Sequence, residues 1–133
     1  MRRFTLTALL ITMALPAAHA ASLKENELGA MLNRVAKESS VGTPRAINEN
    51  LLDRGYTVDG TQLVNHISVL PAHAEQMRAN KGSMREQLAS SVCNNAGFRQ
   101  LLNRGAGLRY EFSEYKTNSA IATERFTKSD CGA

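Results

Sequence analysis

Most of the residue patterns that announce chemistry are missing from this chain. Outside its first twenty residues it has two histidines, His66 and His73, and two cysteines, Cys93 and Cys131. The histidines form neither an H-x-x-x-H nor an H-E-x-x-H spacing, which would set two metal ligands on one helix face. His73-Ala74-Glu75 cannot chelate from a helix either, because positions i and i+2 diverge. The glycine-containing runs, Gly55 to Gly60 and Gly97 to Gly107, lack a phosphate-cradling spacing. Positive charge is not gathered into a stripe: basic and acidic residues alternate, as in Arg109-Tyr110-Glu111 and Glu124-Arg125. Nucleic-acid binders concentrate it on one face, so that class is set aside. No internal repeat or low-complexity tract stands out. No uninterrupted apolar run reaches the roughly 20 residues that span a bilayer.

What is present begins with an export signal. Arg2 and Arg3 supply a positive start, and Phe4 to Leu15 is apolar apart from three threonines. Pro16 interrupts the run, and Ala18-His19-Ala20 provides the small-x-small pattern that signal peptidase cleaves. The expected cut lies between Ala20 and Ala21. There is no cysteine beside it for lipid attachment, so residues 1–20 are expected to leave and residues 21–133 to form one domain with no membrane anchor. Loss of Arg2 and Arg3 lowers the formal charge from +4 to +2.

The cysteines fit an exported chain. An even count in an oxidising compartment reads as a disulfide, and redox motifs keep their cysteines two residues apart. Cys93 and Cys131 are therefore expected to be bridged.

The mature chain then alternates between two periodicities. Ser22-x-x-Glu25 resembles a capping box, and Leu28, Met31, Leu32 and Val35 follow at helical spacing, predicting a helix from Ser22 to Ser39 that Val41-Gly42-Thr43-Pro44 ends. Alternation at Leu52, Tyr56 and Val58, and again at Leu63, Ile67 and Val69, predicts strands near 51–58 and 61–70. Asp59-Gly60 between them predicts a type I′ hairpin turn. Pro71 opens a helical region over 72–79. A second capping box, Ser83-x-x-Glu86, starts a longer helix with a kink near 94–97, closed by Gly105. Leu108, Tyr110 and Phe112 point inward on the next strand. A turn at 116–119 leads to a last strand over 120–127, with Ala120, Ala122 and Phe126 on one side. The pattern predicts an α+β fold: a four-stranded antiparallel sheet with helices on one face, in the order α-ββ-α-ββ, with the disulfide tying the long helix to the last strand.

No catalytic or metal-binding residue emerges, and no cofactor is implied. Glu111, Glu114 and Glu124 could be paired for glycosidic chemistry, but arginine neighbours make cross-strand ion pairs the simpler expectation. Methionines Met31, Met77 and Met84 fill core. The outward residues Arg109, Glu111, Ser113 and Tyr115 form a mixed polar and aromatic strip that could meet a protein partner, since Arg and aromatics are enriched in binding hot spots.

A longer string carries a resemblance. Ser91-Val92-Cys93-Asn94, Gly97-Phe98-Arg99-x-Leu101-Leu102 and Gly105-Ala106-Gly107-Leu108 are followed by Tyr110 to Asn118 and by Phe126-x-x-x-Asp130-Cys131-Gly132. With Gly55-Tyr56-Thr57-Val58-Asp59-Gly60 upstream, the chain resembles the quorum-sensing-regulated virulence factor family, small secreted proteins of pseudomonads. The resemblance implies export, an α+β domain and a contribution to virulence under cell-density control. It implies no catalytic residues. The expected function is a periplasmic or secreted non-enzymatic protein that binds a partner. An envelope inhibitor, pilot or chaperone is the alternative, and a small hydrolase ranks below both.

Overall fold

The computed structural model describes residues 18–132, with side chains from residue 23 onward. Most of the expected signal therefore lies outside the described residues. Helix α1 (Ala18–Ser39) runs through Ser22 instead of starting there. It buries Leu28, Leu32 and Ala36, with Met31 and Val35 flanking them. Strands β1 (Arg45–Ala46), β2 (Leu51–Asp59) and β3 (Gln62–Val69) follow, then helices α2 (Pro71–Ala79), α3 (Lys81–Cys93) and α4 (Ala96–Asn103). Strands β4 (Gly107–Glu114) and β5 (Ala120–Phe126) and a 3₁₀ turn (Lys128–Cys131) complete the chain.

The sheet has five strands in the order β1-β2-β3-β4-β5, all antiparallel except β3 and β4, which are parallel. This corrects the expected four-stranded antiparallel sheet and the α-ββ-α-ββ order. The two hairpins do not meet through a turn. They are joined by three helices, and a crossover of that length returns the chain to the sheet edge in the same direction. Strand β1 is two residues long and carries no periodic signal that could announce it.

The helices all pack on one face of the sheet. Leu63, Ile67 and Val69 of β3 and Leu108, Tyr110 and Phe112 of β4 share one core with Leu32, Met77, Val92, Leu101 and Leu102. Leu32 and Phe126 have no exposed surface, and each such side chain contributes about 2 kcal/mol of burial. Arg85 of α3 clamps the last strand from above. Its Nη1 donates to Glu124 Oε2 at 2.8 Å and to the Arg125 carbonyl at 3.0 Å. Its Nη2 donates to Asp130 at 3.3 Å, and the guanidinium lies 4.6 Å from the Phe126 ring centroid.

Local irregularities moved several residues from their expected faces. A bulge between Asp53 and Tyr56 inserts a residue into β2, so Tyr56 and Val58 face the core while Leu52 faces away. Gly55 sits in the bulge at φ +104°, where an added Cβ would stand 3.1 Å from the hydroxyls of Ser40 and Thr43. The hairpin loop is Gly60-Thr61, because Asp59 pairs with Gln62. Only Gly60 has positive φ, the type II′ pattern and not type I′. A second irregularity, between Phe112 and Ser113, buries Ile121 and leaves Ala120 exposed. The expected long helix is two helices. Asn95 separates them, its side chain accepting from Phe98 N at 3.0 Å. Helix α3 starts at Lys81, so Ser83 lies inside it. The closure at Gly105 holds: Ala106 N donates to Leu101 O and Gly105 N to Leu102 O, each at 3.0 Å.

Cys93 and Cys131 form the disulfide, with their Cα atoms 5.3 Å apart. It ties the end of α3 to the 3₁₀ turn beyond β5, not to the strand itself. Replacing both cysteines by serine frees a tether of sequence separation 38, worth about 4 kcal/mol in the chain-entropy account. Denaturant unfolding of the serine variant should show a loss of that order. A midpoint unchanged from the parent would mean that the bridge contributes nothing to stability.

Candidate functional site

Because the helices cover one face, the other face of the sheet is open, and the parallel β3–β4 register decides what stands on it. Val64 lies beside Arg109, His66 beside Glu111 and Ser68 beside Ser113. From β2, Thr57 pairs with Val64 and Leu52 with Ser68. The strip Arg109, Glu111, Ser113 and Tyr115 thus runs along this face, with Tyr115 just past the end of β4 and 42% exposed.

The two ends of the strip differ in charge. At one end Arg109 Nη1 donates to Gln62 Oε1 at 2.8 Å and Asp59 Oδ2 at 3.0 Å. Its Nε lies 3.0 Å from Glu111 Oε1, a charge contact too bent to be a hydrogen bond. Arg109 is therefore neutralised in place. In the middle, Thr57 Oγ1 and His66 Nε2 are 2.7 Å apart, and His66 Nδ1 is 3.6 Å from Glu111 Oε2. Hydroxyl, imidazole and carboxylate stand in the order used for nucleophilic catalysis. The imidazole–carboxylate distance exceeds a hydrogen bond, and five depressions among the described residues are lined by other side chains.

At the other end, two adjoining depressions share Leu52, Ser68 and Tyr115. One, of about 300 Å³, is lined mainly by apolar groups, among them Ala46, Leu51 and Leu70. The other, of about 380 Å³, adds Pro44, Arg54, Lys116 and Asn118. Sequence reasoning named Tyr115 and missed the rest, because Leu52 reached this face only through the β2 bulge.

Glu114 and Glu124 are taken up in ion pairs, but not across strands as expected, because the arginines that reach them come from the helices. Glu114 pairs with Arg78 at 3.3 Å and Glu124 with Arg85 at 2.8 Å, each between strand and helix. His73 is half-buried at the start of α2. No group of three metal-binding side chains occurs among the described residues.

On the core side, a buried polar seam runs under the end of α1. Asp53 Oδ1 accepts from Gly55 N and from Asn65 Nδ2, both at 2.9 Å. Ser40 Oγ accepts from Tyr56 N at 2.8 Å. Burial, with Tyr56 and Asp53 nearby, pushes the Tyr110 phenol up to about 12. Burial and Asp53 also raise Tyr56. Raised phenols can mark active sites, but here the main cause is desolvation inside the core.

The family model described as "Putative quorum-sensing-regulated virulence factor" matches residues 21–132. The chain belongs to this family. A crystal structure of a "putative secreted protein" of Pseudomonas aeruginosa is 64% identical, with a TM-score of 0.80 over 82% of this chain and 96% of that one. This family member is an exported protein, periplasmic or secreted. Its fold is shared with two type II secretion pilotins. EpsS of Vibrio vulnificus has a TM-score of 0.72 at 18% identity, covering 83% of this chain and 96% of its own. AspS of Vibrio cholerae has 0.68 at 20%, covering 84% and 99%. At those identities the likeness is one of fold. Among curated proteins none matches.

The tyrosine seam gives this domain a predictable alkaline limit. A phenol whose folded pKa is about 12 against about 10 in the unfolded chain keeps its proton longer when folded. Its contribution is complete below pH 10 and is lost as pH rises toward 12, at up to about 1.4 kcal/mol per pH unit. Unfolding measured across that range should show this decline, and Tyr110→Phe should flatten it. An equally steep decline in the variant would remove Tyr110 as its source.

Proposed function

We propose that this family member works without catalysis, by binding a protein partner through the open face of its sheet, in a pilot-like role in the envelope. The observation that carries the reading is the fold shared with two pilotins over nearly their whole length. The open face supports it. The strip Arg109, Glu111, Ser113 and Tyr115 leads from a self-neutralised end to exposed depressions beside Tyr115, and apolar depressions with exposed aromatics suit binding. The Thr57–His66–Glu111 alignment lacks a hydrogen bond between imidazole and carboxylate, at 3.6 Å, which favours recognition over hydrolysis. No helix among the described residues is long and apolar enough to cross a membrane. The family's description favours a second reading, a secreted virulence factor that meets its partner outside the cell.

Signal cleavage after Ala20 belongs to the same proposal, and the family match beginning at residue 21 supports it. The protein recovered from cells should then begin at Ala21 on N-terminal sequencing; an intact Met1 end would refute it. For partner binding, a photoreactive phenylalanine derivative placed at Ser113 or Tyr115 of the full chain, in cells of the native host, should give a discrete protein adduct. The same probe at Glu75, exposed on α2, should give none. Adducts in the periplasm favour the pilot-like role and adducts in the medium the secreted one. Absence of any adduct from both open-face positions would overturn the reading.

A further inference from the structure

Charge singles out one end of the open face. Arg45, Arg78, Arg85 and Arg109 each have a carboxylate within 4.0 Å. Arg54 and Lys116 are among several described cations with none, and both line the same depression with Leu52 and Tyr115. Arg54 Nη1 donates to Asn118 Oδ1 at 3.0 Å, which holds the guanidinium over the depression and leaves other N–H donors unused. Lys116 Nζ lies 5.8 Å from the Tyr115 ring centroid. Its backbone, at φ +73°, belongs to the turn that joins β4 to β5. Arg125, another open-face cation without a carboxylate partner, pairs in register with Arg109 at the far end of the sheet.

The adjoining depression has the opposite character. Ala46, Leu51, Leu52, Leu70 and the Tyr115 ring make it apolar. Leu70 is 41% exposed, as is much of Tyr115, and Ile47 of the neighbouring loop is 51% exposed. Glu49 borders this depression and not the cationic one. An apolar recess thus passes directly into one with two unpaired positive charges.

We propose that this double depression docks an acidic segment of a partner polypeptide. One apolar side chain enters beside Leu52, Leu70 and Tyr115, and carboxylates next to it in sequence meet Arg54 and Lys116. The site deepens the partner-binding reading given above and rests on it. Charge complementarity selects the occupant: an apolar segment without acids would leave both cations unpaired, and a basic one would be repelled. Unpaired charges on a rim also steer association, so binding should weaken with salt.

The test uses the mature, disulfide-bonded chain labelled with nitrogen-15. It is titrated with a short capped peptide carrying Leu-Asp-Asp, with the same peptide carrying Leu-Asn-Asn, and with phosphatidylglycerol vesicles. The expected result is saturable amide shifts at Leu52, Arg54, Ser68, Tyr115 and Lys116 with the acidic peptide. About tenfold weaker binding, or roughly 1.4 kcal/mol, is expected for the amide peptide and for the Arg54→Glu/Lys116→Glu protein. Both positions are exposed, so the variant should keep the parent's unfolding transition. A variant that unfolds early is replaced by Arg54→Gln/Lys116→Gln, for which the same weakening is expected. The proposal is overturned by any of three results: no saturable shift, equal affinity for the two peptides, or binding to the vesicles that the acidic peptide does not displace. Should the Tyr115 cross-link persist undiminished in the charge-altered protein, the acidic-segment site fails while partner binding stands.

Discussion

The character of the exposed sheet face follows from the one-sided covering of the sheet. Four helices and the disulfide-tethered tail all pack against the face that carries Leu63, Ile67, Val69, Leu108, Tyr110, Phe112 and Phe126. Burying these side chains is the dominant favourable term available to a domain of this size. The residues of opposite parity are then left on the other face. Backbone hydrogen bonding within the sheet is satisfied on both faces alike, so the open face can differ from the covered one only in its side chains. It is therefore polar along most of its length, and its charges settle among themselves wherever strand register brings opposite signs together.

That settling is uneven, and the unevenness gives the face a direction. Arg109 is held by Asp59, Gln62 and Glu111 because Asp59 and Gln62 pair across the β2–β3 hairpin while β4 lies parallel beside β3. At the opposite end the strands stop, and the turn at 116–119 and the loop after β1 bring in side chains that no ladder pairs. Apolar and cationic groups accumulate there side by side. The two bulges contribute to this: the one in β2 turns Leu52 outward, and the one at Ser113 shifts the end of the β4–β5 ladder. Bulges re-aim side chains in this way without breaking a sheet.

The covered face is fastened at a few polar points. Arg85 gathers Glu124, the Arg125 carbonyl and Asp130 around the Phe126 ring, and the disulfide fixes the 3₁₀ turn that carries Asp130. Arg78 likewise donates to the Ala120 carbonyl at 3.3 Å. These arginines occupy carbonyls of the last strand of the sheet, and an edge strand so engaged is a poorer template for another chain. At the other side Ser40 serves the backbone of Tyr56 in the same manner.

The α+β class, the approximate places of helices and strands, the cysteine pairing and the outward direction of Arg109, Glu111 and Ser113 were all legible in the sequence by itself. Each depends on local periodicity or on a count. The parallel pairing of β3 with β4 was signalled only indirectly, by the length of helical chain between them. Strand β1 left no trace, since two residues have no period. The bulges were invisible because a glycine in a strand, such as Gly55, is compatible with several backbone paths until Ser40 and Thr43 pack beside it. For the same reason the depression at Tyr115 could not be assembled in advance. Tyr115 stood out as an aromatic after a strand, but Leu52, Ser68, Leu70 and Arg54 join it only through pairing between strands and turns distant in sequence. Local composition determined which residues could be exposed. Tertiary register decided which of them stand together, because a one-residue shift in a strand reverses the face of every side chain beyond it.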